Sequence, residues 1–504
     1  GTLESMLADG YAYKIDGGAW LSIADRARSG YSNVDHEHKP VTVEKAPIKS
    51  ATITAEDESP IIYRNGNNSV DYTANVTYTG NETLYVTRCL IDGTVIREKT
   101  IFNGHCELCS GEVDKVVAED GEIQYYCIFT YDGYDYKSNA VTLTVATCQH
   151  PVESVKCDDN GNYVCGICDS TLLASVEMSD GTLSYYDNLN DAIGAAQESE
   201  GCTLKLVSRD QTGDTVRISG GKFTVDLAGV PALYEFEITG GDVTFKSSEE
   251  FSSEYSDRCY ITVNGSDAKV TIDGKIELET EQLSDGTFTT NSTEAYIEEL
   301  SIWDGKATVD GAYIRTIMIY GGNTVIKDVI SNLMKMRGSW YDNTSIVSGR
   351  FGFVACNGYA LYKAIASGSR VTGFDMNVGL YKYADIQKKT EIANIIVEKC
   401  NHKDANGSYV LDGNPCPYCN EEIVATVSYT ADGSVQTDLF SDIYDAFERA
   451  NEAGTATITL YKKIADSELT RDVNVTGNVT LELNGKKLGY SFVSLTVEVS
   501  DGGM

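Results

Sequence analysis

The 504-residue chain is too long for one ordinary hydrophobic core, so length alone argues for about two to four domains. Its formal net charge of −35 repels phosphate backbones and anionic headgroups, and no basic stripe with interleaved aromatics offsets it, which argues against nucleic-acid partners. No apolar run reaches the roughly 18 residues of a membrane span and the first residues lack a signal pattern, so no membrane contact is expected within this stretch.

With 32 Tyr and 46 Gly against 7 Pro, and Val, Ile and Thr throughout, composition favours strands joined by tight turns over helical bundles. The expected fold class is mainly β: a right-handed parallel β-helix with an N-terminal capping helix, plus an Ig-like β-sandwich and small Cys/His zinc knuckles. Among the 14 cysteines, Cys202, Cys259 and Cys356 stand alone in apolar strands and read as buried reduced thiols.

In chain order, "LADGYAYK" (Leu7 to Lys14) echoes "ACNGYALYK" (Ala355 to Lys363), which closes the expected β-helix. Residues 1–46 therefore read as the tail of a preceding β-helix module and a linker. Residues 47–147 carry strand-like runs with frequent turns, the pattern of an antiparallel Ig-like β-sandwich of about 100 residues. Within it, "DGEIQYYCIF" places Tyr125 two before Cys127, as in a tyrosine corner, while the partner cysteine of an inter-sheet disulfide is missing from its usual place. The hairpin "TYDGYDYKSN" alternates Tyr131, Tyr134 and Tyr136 around an Asp-Gly turn. Tyrosines give large amphipathic contact area at low entropy cost, so these three are the candidate binding residues, against the alternative of ordinary sheet-surface tyrosines.

Residues 148–171 form the first zinc-knuckle linker. Cys148, His150, Cys165 and Cys168 supply thiolate and imidazole donors in two pairs, which suits a tetrahedral zinc ion. The same order recurs as Cys400, His402, Cys416 and Cys419 in the second linker, residues 400–422, at a near-constant interval, so a module is duplicated. The alternative is a disulfide, Cys165 to Cys168 or Cys148 to Cys157. The second copy has no counterpart of Cys157, whereas all four proposed ligands recur. Four protein ligands leave no position for a substrate water, so the zinc is expected to be structural, a bolt between sandwich and β-helix. A degenerate third set combines His36 and His38 of "HEHKP" with Cys106 and Cys109 of "HCELC"; the alternative is solvated histidines and a local thiol pair.

After each knuckle comes a short strand and then an amphipathic helix; in the second copy Phe440, Ile443, Tyr444 and Phe447 share a face and Gly454 stops it. Residues 172–399 then repeat a unit of short alternation, Gly-containing turn and second alternation, as in "FEITGGDVTFKS" and "IMIYGGNTVIKD", at roughly 20 to 35 residues, the mark of a solenoid. The inserts "SSEEFSSEYSDRC" and "TEQLSDGTFTTNSTEAY" read as surface loops. Residues 423–504 begin a further, truncated β-helix module, so the chain is expected to continue into more modules.

Catalytic patterns are missing. There is no Asp-x-Asp pair followed by a Gly-His-Gly or Arg-x-Lys element, no Gly-x-Ser-x-Gly and no phosphate or dinucleotide loop. "DANGSY" starts like a calcium loop but has Pro415 where the closing Glu belongs, and reads as the turn within a knuckle. An enzyme is not expected.

The knuckle, the capping helix, "NVTLELNGKKL", "LADGYAYK" and "VTVEKAPIKSATITA" together resemble large modular cell-surface proteins of gut Firmicutes, of the Lachnospiraceae type with β-helix and Ig-like arrays. Some of these resemble immunoglobulin-binding surface proteins described as B-cell superantigens. The resemblance implies a secreted, adhesin-like fragment at the bacterial cell surface, its anchor outside the fragment. It implies a host protein as partner, in its sharpest form an antibody variable region. A glycan-binding or carbohydrate-active β-helix and a structural spacer stalk are the other readings.

Overall fold

Strand-forming alternation governs most of the chain, and the protein is mainly β. The computed structural model describes residues 11–15, 20–21, 41–159, 161–208, 215–228, 234–248, 259–274, 280–282, 288–290, 296–338, 343–357, 360–373, 380–411, 415–465, 468–469, 473–488 and 497–499. His36, His38, most of the tail at 1–46 and much of the two inserts lie outside the described residues. The chain divides into two compact units, Gly1–Ser175 with Thr182–Ala192, and Val176–Gly181 with Ile193–Met504. Among the described residues no helix is long and apolar enough to cross a membrane.

In the first unit, strand Ile48–Ala55 buries Ile48, Ala51 and Ile53 and pairs antiparallel with Tyr72–Tyr78. A second sheet runs in the order Ile61–Tyr63, Val141–Ala146, Gly121–Tyr131, Tyr85–Leu90 and Val95–Ile101, with Tyr134–Lys137 folded back on Gly121–Tyr131. Both sheets feed one core, Ile53 and Tyr72 from the first and Tyr125, Cys127, Phe129 and Leu143 from the second. Tyr125 meets Tyr72 edge-on at 4.8 Å, and among the described residues no backbone group hydrogen-bonds its buried hydroxyl, so the expected tyrosine-corner bond is not formed. The core thiol beside Cys127 is Cys106, which hydrogen-bonds to it; both are free.

In the second unit the chain visits two long sheets alternately. One receives Thr203–Leu206, Lys222–Asp226, Asp242–Lys246, Lys269–Asp273, Lys306–Asp310, Asn323–Lys327 and Thr344–Ile346, all paired in parallel. The other receives Thr215–Ile218, Tyr234–Ile238, Cys259–Val263, Tyr296–Ile302 and Tyr313–Ile319, again parallel, and then Leu333–Met336 and Gly349–Cys356. Register puts like on like. Val216, Phe236, Ile261, Leu300 and Ile317 stack in one column, and Phe223, Val243, Val270 and Ala307 in another, every one of them buried. Phe236 and Phe245 join the two sheets edge to face at 5.2 Å. Cys202, Cys259 and Cys356 are buried free thiols, as their apolar surroundings implied.

The parallel run ends sooner than its expected limit at residue 399. Strand Glu391–Lys399 pairs antiparallel with Gly349–Cys356, and Ser369–Gly373 adds antiparallel to that. Reversing direction covers the parallel edge with chain that has already turned back, one way of protecting an exposed edge.

Beyond the second Cys/His cluster, Ala425–Ala431 and Ser434–Phe440 form a hairpin. Helix Ile443–Ala453 follows. The Asp442 carboxylate accepts the N–H groups of Tyr444 and Asp445, and Gly454, at φ +72°, ends the helix where its position in the sequence implied. Phe440, expected on the helix face, instead closes the preceding strand, because the Asp442 cap fixes the first helical residue at Ile443. Its ring still packs half-buried against the helix core. Strand Thr455–Leu460 then pairs in parallel with Asn478–Glu482.

Truncating Phe245 to Ala should cost about 3–5 kcal/mol, because it empties the contact between the two sheets. Urea unfolding of the full chain should show a clearly lower midpoint for the transition of the parallel sheets. An unchanged midpoint would mean that this core does not hold them together.

Candidate metal centres

Each Cys/His cluster is built on two tight turns. In the first, Cys148 and His150 lie on one turn and Cys165 and Cys168 on the other; in the second, Cys400 and His402 face Cys416 and Cys419. The backbone repeats in detail. His150 and His402 sit at φ 45° and 53°, and Asp169 and Asn420, each just after the last cysteine, at 58° and 61°. Non-glycine residues seldom adopt this left-handed conformation, so its return at four matched positions marks a local geometry the sequence holds on purpose. It turns the N–H of each histidine onto the first sulfur, His150 N to Cys148 Sγ at 3.4 Å and His402 N to Cys400 Sγ at 3.3 Å.

Between the two turns runs an Asp-centred loop. Asp158 accepts the N–H of Asn162 at 2.8 Å, and Asp404 accepts those of Asn406 and Ser408 at 2.9 Å. The carboxylate in "DANGSY" is thus spent on its own backbone, as expected of a turn.

In each cluster the four donor atoms lie within 4.8 Å of one another, and all four residues are buried. Cys148 Sγ is 3.7 Å from Cys165 Sγ, and Cys400 Sγ is 3.8 Å from Cys416 Sγ. His150 Nδ1 is 3.4 Å from Cys168 Sγ, and His402 Nδ1 is 3.7 Å from Cys419 Sγ. A tetrahedral ion with metal–sulfur bonds of about 2.3 Å requires donor–donor edges of about 3.8 Å, so the residues fit a bound ion. A disulfide requires about 2.05 Å, and all these cysteines are free, including the exposed Cys157. Both clusters can hold a metal ion.

The electrostatics divide the thiols: Cys165 and Cys416 are lowered, while Cys148, Cys168, Cys400 and Cys419 are raised. Burial raises the Cys165 thiol, but the Ser154 hydroxyl, the His150 ring and the N–H groups of Cys168 and Ile167 outweigh it and bring the group to about 6. Cys168 goes the other way, pushed by burial to about 12. In the second cluster Cys416 is lowered, chiefly by its hydrogen bond with Cys400. Such a split is what crowded thiols do without a cation. A bound cation removes the conflict by favouring every thiolate at once.

Each histidine also has an outer partner that the sequence did not reveal. His150 Nε2 lies 3.1 Å from Asp187 Oδ2, and His402 Nε2 lies 3.4 Å from Glu421 Oε2. A carboxylate on the far nitrogen fixes the tautomer that leaves Nδ1 free to ligate, a common support of metal-bound histidine. Glu421 directly follows the last Cys-x-x-Cys-Asn, so adjacency was an available signal. Asp187 comes from "YYDNLND", where nothing in the spacing singles it out.

Each cluster is tied to the module that precedes it. In the first unit the loop after Ile61–Tyr63 wraps the knuckle: the Asn65 amide pairs with both the N–H and the C=O of Cys148, at 2.8 and 3.0 Å. Asn67 N–H donates to Cys168 O, and Ser170 Oγ donates to Asn65 O. Gly66 is required by closeness, since a Cβ there would come within 2.8 Å of Cys168 O. In the second unit Cys400 N–H donates to Gly368 O at 2.7 Å, Tyr383 N–H to Pro417 O at 2.7 Å, and Arg370 to Asn401.

The other expected site residues lie apart from these clusters. Tyr131 is buried, its hydroxyl accepting the N–H of Glu82 at 2.9 Å, and Tyr134 and Tyr136 pack half-buried on the same core. The hairpin therefore spends much of its aromatic surface internally. Cys106 is turned into the core against Cys127, and Cys109 begins a short helix at Ser110–Val113, so these two form no metal-binding group among the described residues.

No protein-family model, curated protein or solved structure matches this chain.

Replacing Asp187 with Ala should weaken metal binding at the first cluster about 10- to 100-fold and leave the second untouched. Competition against a chromophoric chelator measures both steps; equal affinity with and without Asp187 would deny it the supporting role.

Proposed function

We propose that this chain is a non-catalytic stretch of a modular bacterial cell-surface binding protein, in which zinc-filled knuckles anchor each linker to the module before it. The carrying observation is the duplicated, buried set of three cysteines and one histidine, matched in backbone, outer carboxylate and docking to the preceding module. Zinc is favoured by the donor set, since three thiolates and an imidazole suit a borderline-soft ion with no geometric preference of its own. Four protein donors close the coordination sphere, which supports a structural ion over one that activates water.

Under this proposal the alternating parallel sheets of the second unit are the coils of a right-handed β-helix, and the two-sheet domain before it is Ig-like. Neither fold offers a conspicuous reaction centre, and both can present loops from a rigid frame. The likeness to gut Firmicute surface proteins supports a host protein as partner, most sharply an antibody variable region. A glycan partner is the second reading, favoured by the cavity described below.

Metal analysis of the purified chain should find two zinc ions, one per cluster, and Cys165→Ser should lose one of them. A metal-free protein with Cys165 and Cys168 oxidised to a disulfide would sink the zinc assignment. Capture from serum with the zinc-loaded chain should recover immunoglobulin, confirmed with a purified Fab fragment. Recovery of glycan ligands alone would favour the second reading, and no capture at all would leave a spacer.

A further inference from the structure

The two knuckles share one design and differ in what borders the second turn. Ile167, between Cys165 and Cys168, is 42% exposed to solvent. Its counterpart Tyr418, between Cys416 and Cys419, lines a cavity of about 240 Å³ at the end of the parallel sheets. Tyr362 and Tyr383 stand edge to face in the same wall with ring centroids 5.4 Å apart. Ile365 and Ile386 supply apolar surface, Ser367 and Asn420 supply hydroxyl and amide groups, Cys419 of the second cluster borders the wall, and Lys363 is the one cationic side chain in it among the described residues.

These features restrict the ligand. The volume is below the roughly 300–1,000 Å³ of pockets for drug-sized molecules, which leaves room for about one ring. Among the described residues no carboxylate lines the wall and Lys363 does, so a cationic ligand would meet a like charge, opposed only by the buried Cys419 sulfur of the Cys/His cluster. A wholly apolar ligand would strip water from the serine, asparagine and tyrosine groups and replace none of those hydrogen bonds. A pyranose avoids both penalties, since its C–H face packs on an aromatic ring while its rim hydroxyls exchange hydrogen bonds with tyrosine, serine and amide groups.

We propose that this cavity is a binding site for a single pyranose ring of a glycan, with Tyr418 as the contact that distinguishes the second knuckle from the first. It gives the glycan reading a location and does not depend on whether a host protein is bound elsewhere on the chain. Lys363 leaves the ring's charge open: a neutral sugar uses the lysine as a hydrogen-bond donor, a sugar acid pairs its carboxylate with it.

The test uses the zinc-loaded full chain with methyl β-galactoside, N-acetylglucosamine and N-acetylneuraminic acid as probes, read by saturation-transfer NMR and calorimetry. At least one probe should bind saturably in the millimolar range. Tyr418→Ile, which copies the first knuckle, should weaken it about tenfold, the size of one lost aromatic contact, with metal content unchanged. Ser367→Val, outside the knuckle, should weaken it too, which covers the case in which the Tyr418 variant disturbs the metal site. Loss of N-acetylneuraminic acid binding in Lys363→Met identifies an acidic ring; neutral-sugar binding that survives Lys363→Met identifies a neutral one. Saturation by none of the three probes, or equal affinity in the Tyr418 and Ser367 variants, overturns the proposal. Immunoglobulin capture is measured separately, so either result can fail alone.

Discussion

Crowding of like donors is the constraint from which the rest of the linker geometry follows. Three thiols and an imidazole held within 4.8 Å in a buried site cannot all take their charged or lone-pair forms without a cation among them. Holding them there nonetheless takes left-handed backbone at His150, Asp169, His402 and Asn420, and each such residue is strained unless its surroundings over-determine it. The surroundings do so with backbone bonds that recur in both copies: Cys165 N–H to Ser170 O and Cys416 N–H to Glu421 O, Asp169 N–H to Cys165 O and Asn420 N–H to Cys416 O. A bound metal would contribute its binding energy directly to the folding of these short turns, which bury too little apolar surface to fold unaided.

That constraint also explains why the docking contacts are polar and specific. A knuckle of about twenty residues has little hydrophobic area to offer a neighbour, so it is held through main-chain groups instead. Asn65 matches Cys148 as an extra strand would, giving an acceptor to its N–H and a donor to its C=O. Gly66 lets the loop come close enough for this, and Ser110 Oγ, at the start of the short helix Ser110–Val113, donates to Gly66 O. The second knuckle reaches the same end by other residues, through Gly368, Arg370 and Tyr383. The Cys/His turns recur in both copies while the docking partners differ, as expected when one small device is fitted to two different neighbours.

Much of this was legible in the sequence because it depends on local pattern. The eight cysteine and histidine residues that could hold metal declared themselves by residue type, spacing and duplication, and Gly454 marked a helix end because only a residue tolerant of positive φ fits there. Period-two burial is written directly in the residues and announced the strands, and the return of the same unit at roughly 20 to 35 residues announced that they stack in parallel. What escaped depends on distance along the chain. Asn65 lies 83 residues from the Cys148 it orients, and no periodicity links them. Tyr131 looked like surface because its neighbours alternate, yet the Glu82 N–H and the Tyr78 ring draw it inside. The antiparallel return of Glu391–Lys399 was hidden for a related reason: a strand's burial pattern does not state the direction of its partner.

Duplication followed by local substitution gives such a chain a way to vary what it binds without refolding. The turn Cys-Gly-Ile-Cys and the turn Cys-Pro-Tyr-Cys hold their sulfurs in the same arrangement, and Ile167 and Tyr418 serve the first sulfur of each turn through their backbone N–H groups alone. The side chain at that one position can therefore change. In one copy the free position exposes Ile167 to solvent, and in the other it places Tyr418 in the wall of a cavity with Tyr362 and Tyr383. With a metal bound, the turn would hold a side chain displayed from it at low entropic cost, the same economy that makes preorganised surfaces effective binders. The element that would stabilise the linker is thereby also one that could carry a recognition group, and its two copies place different side chains there.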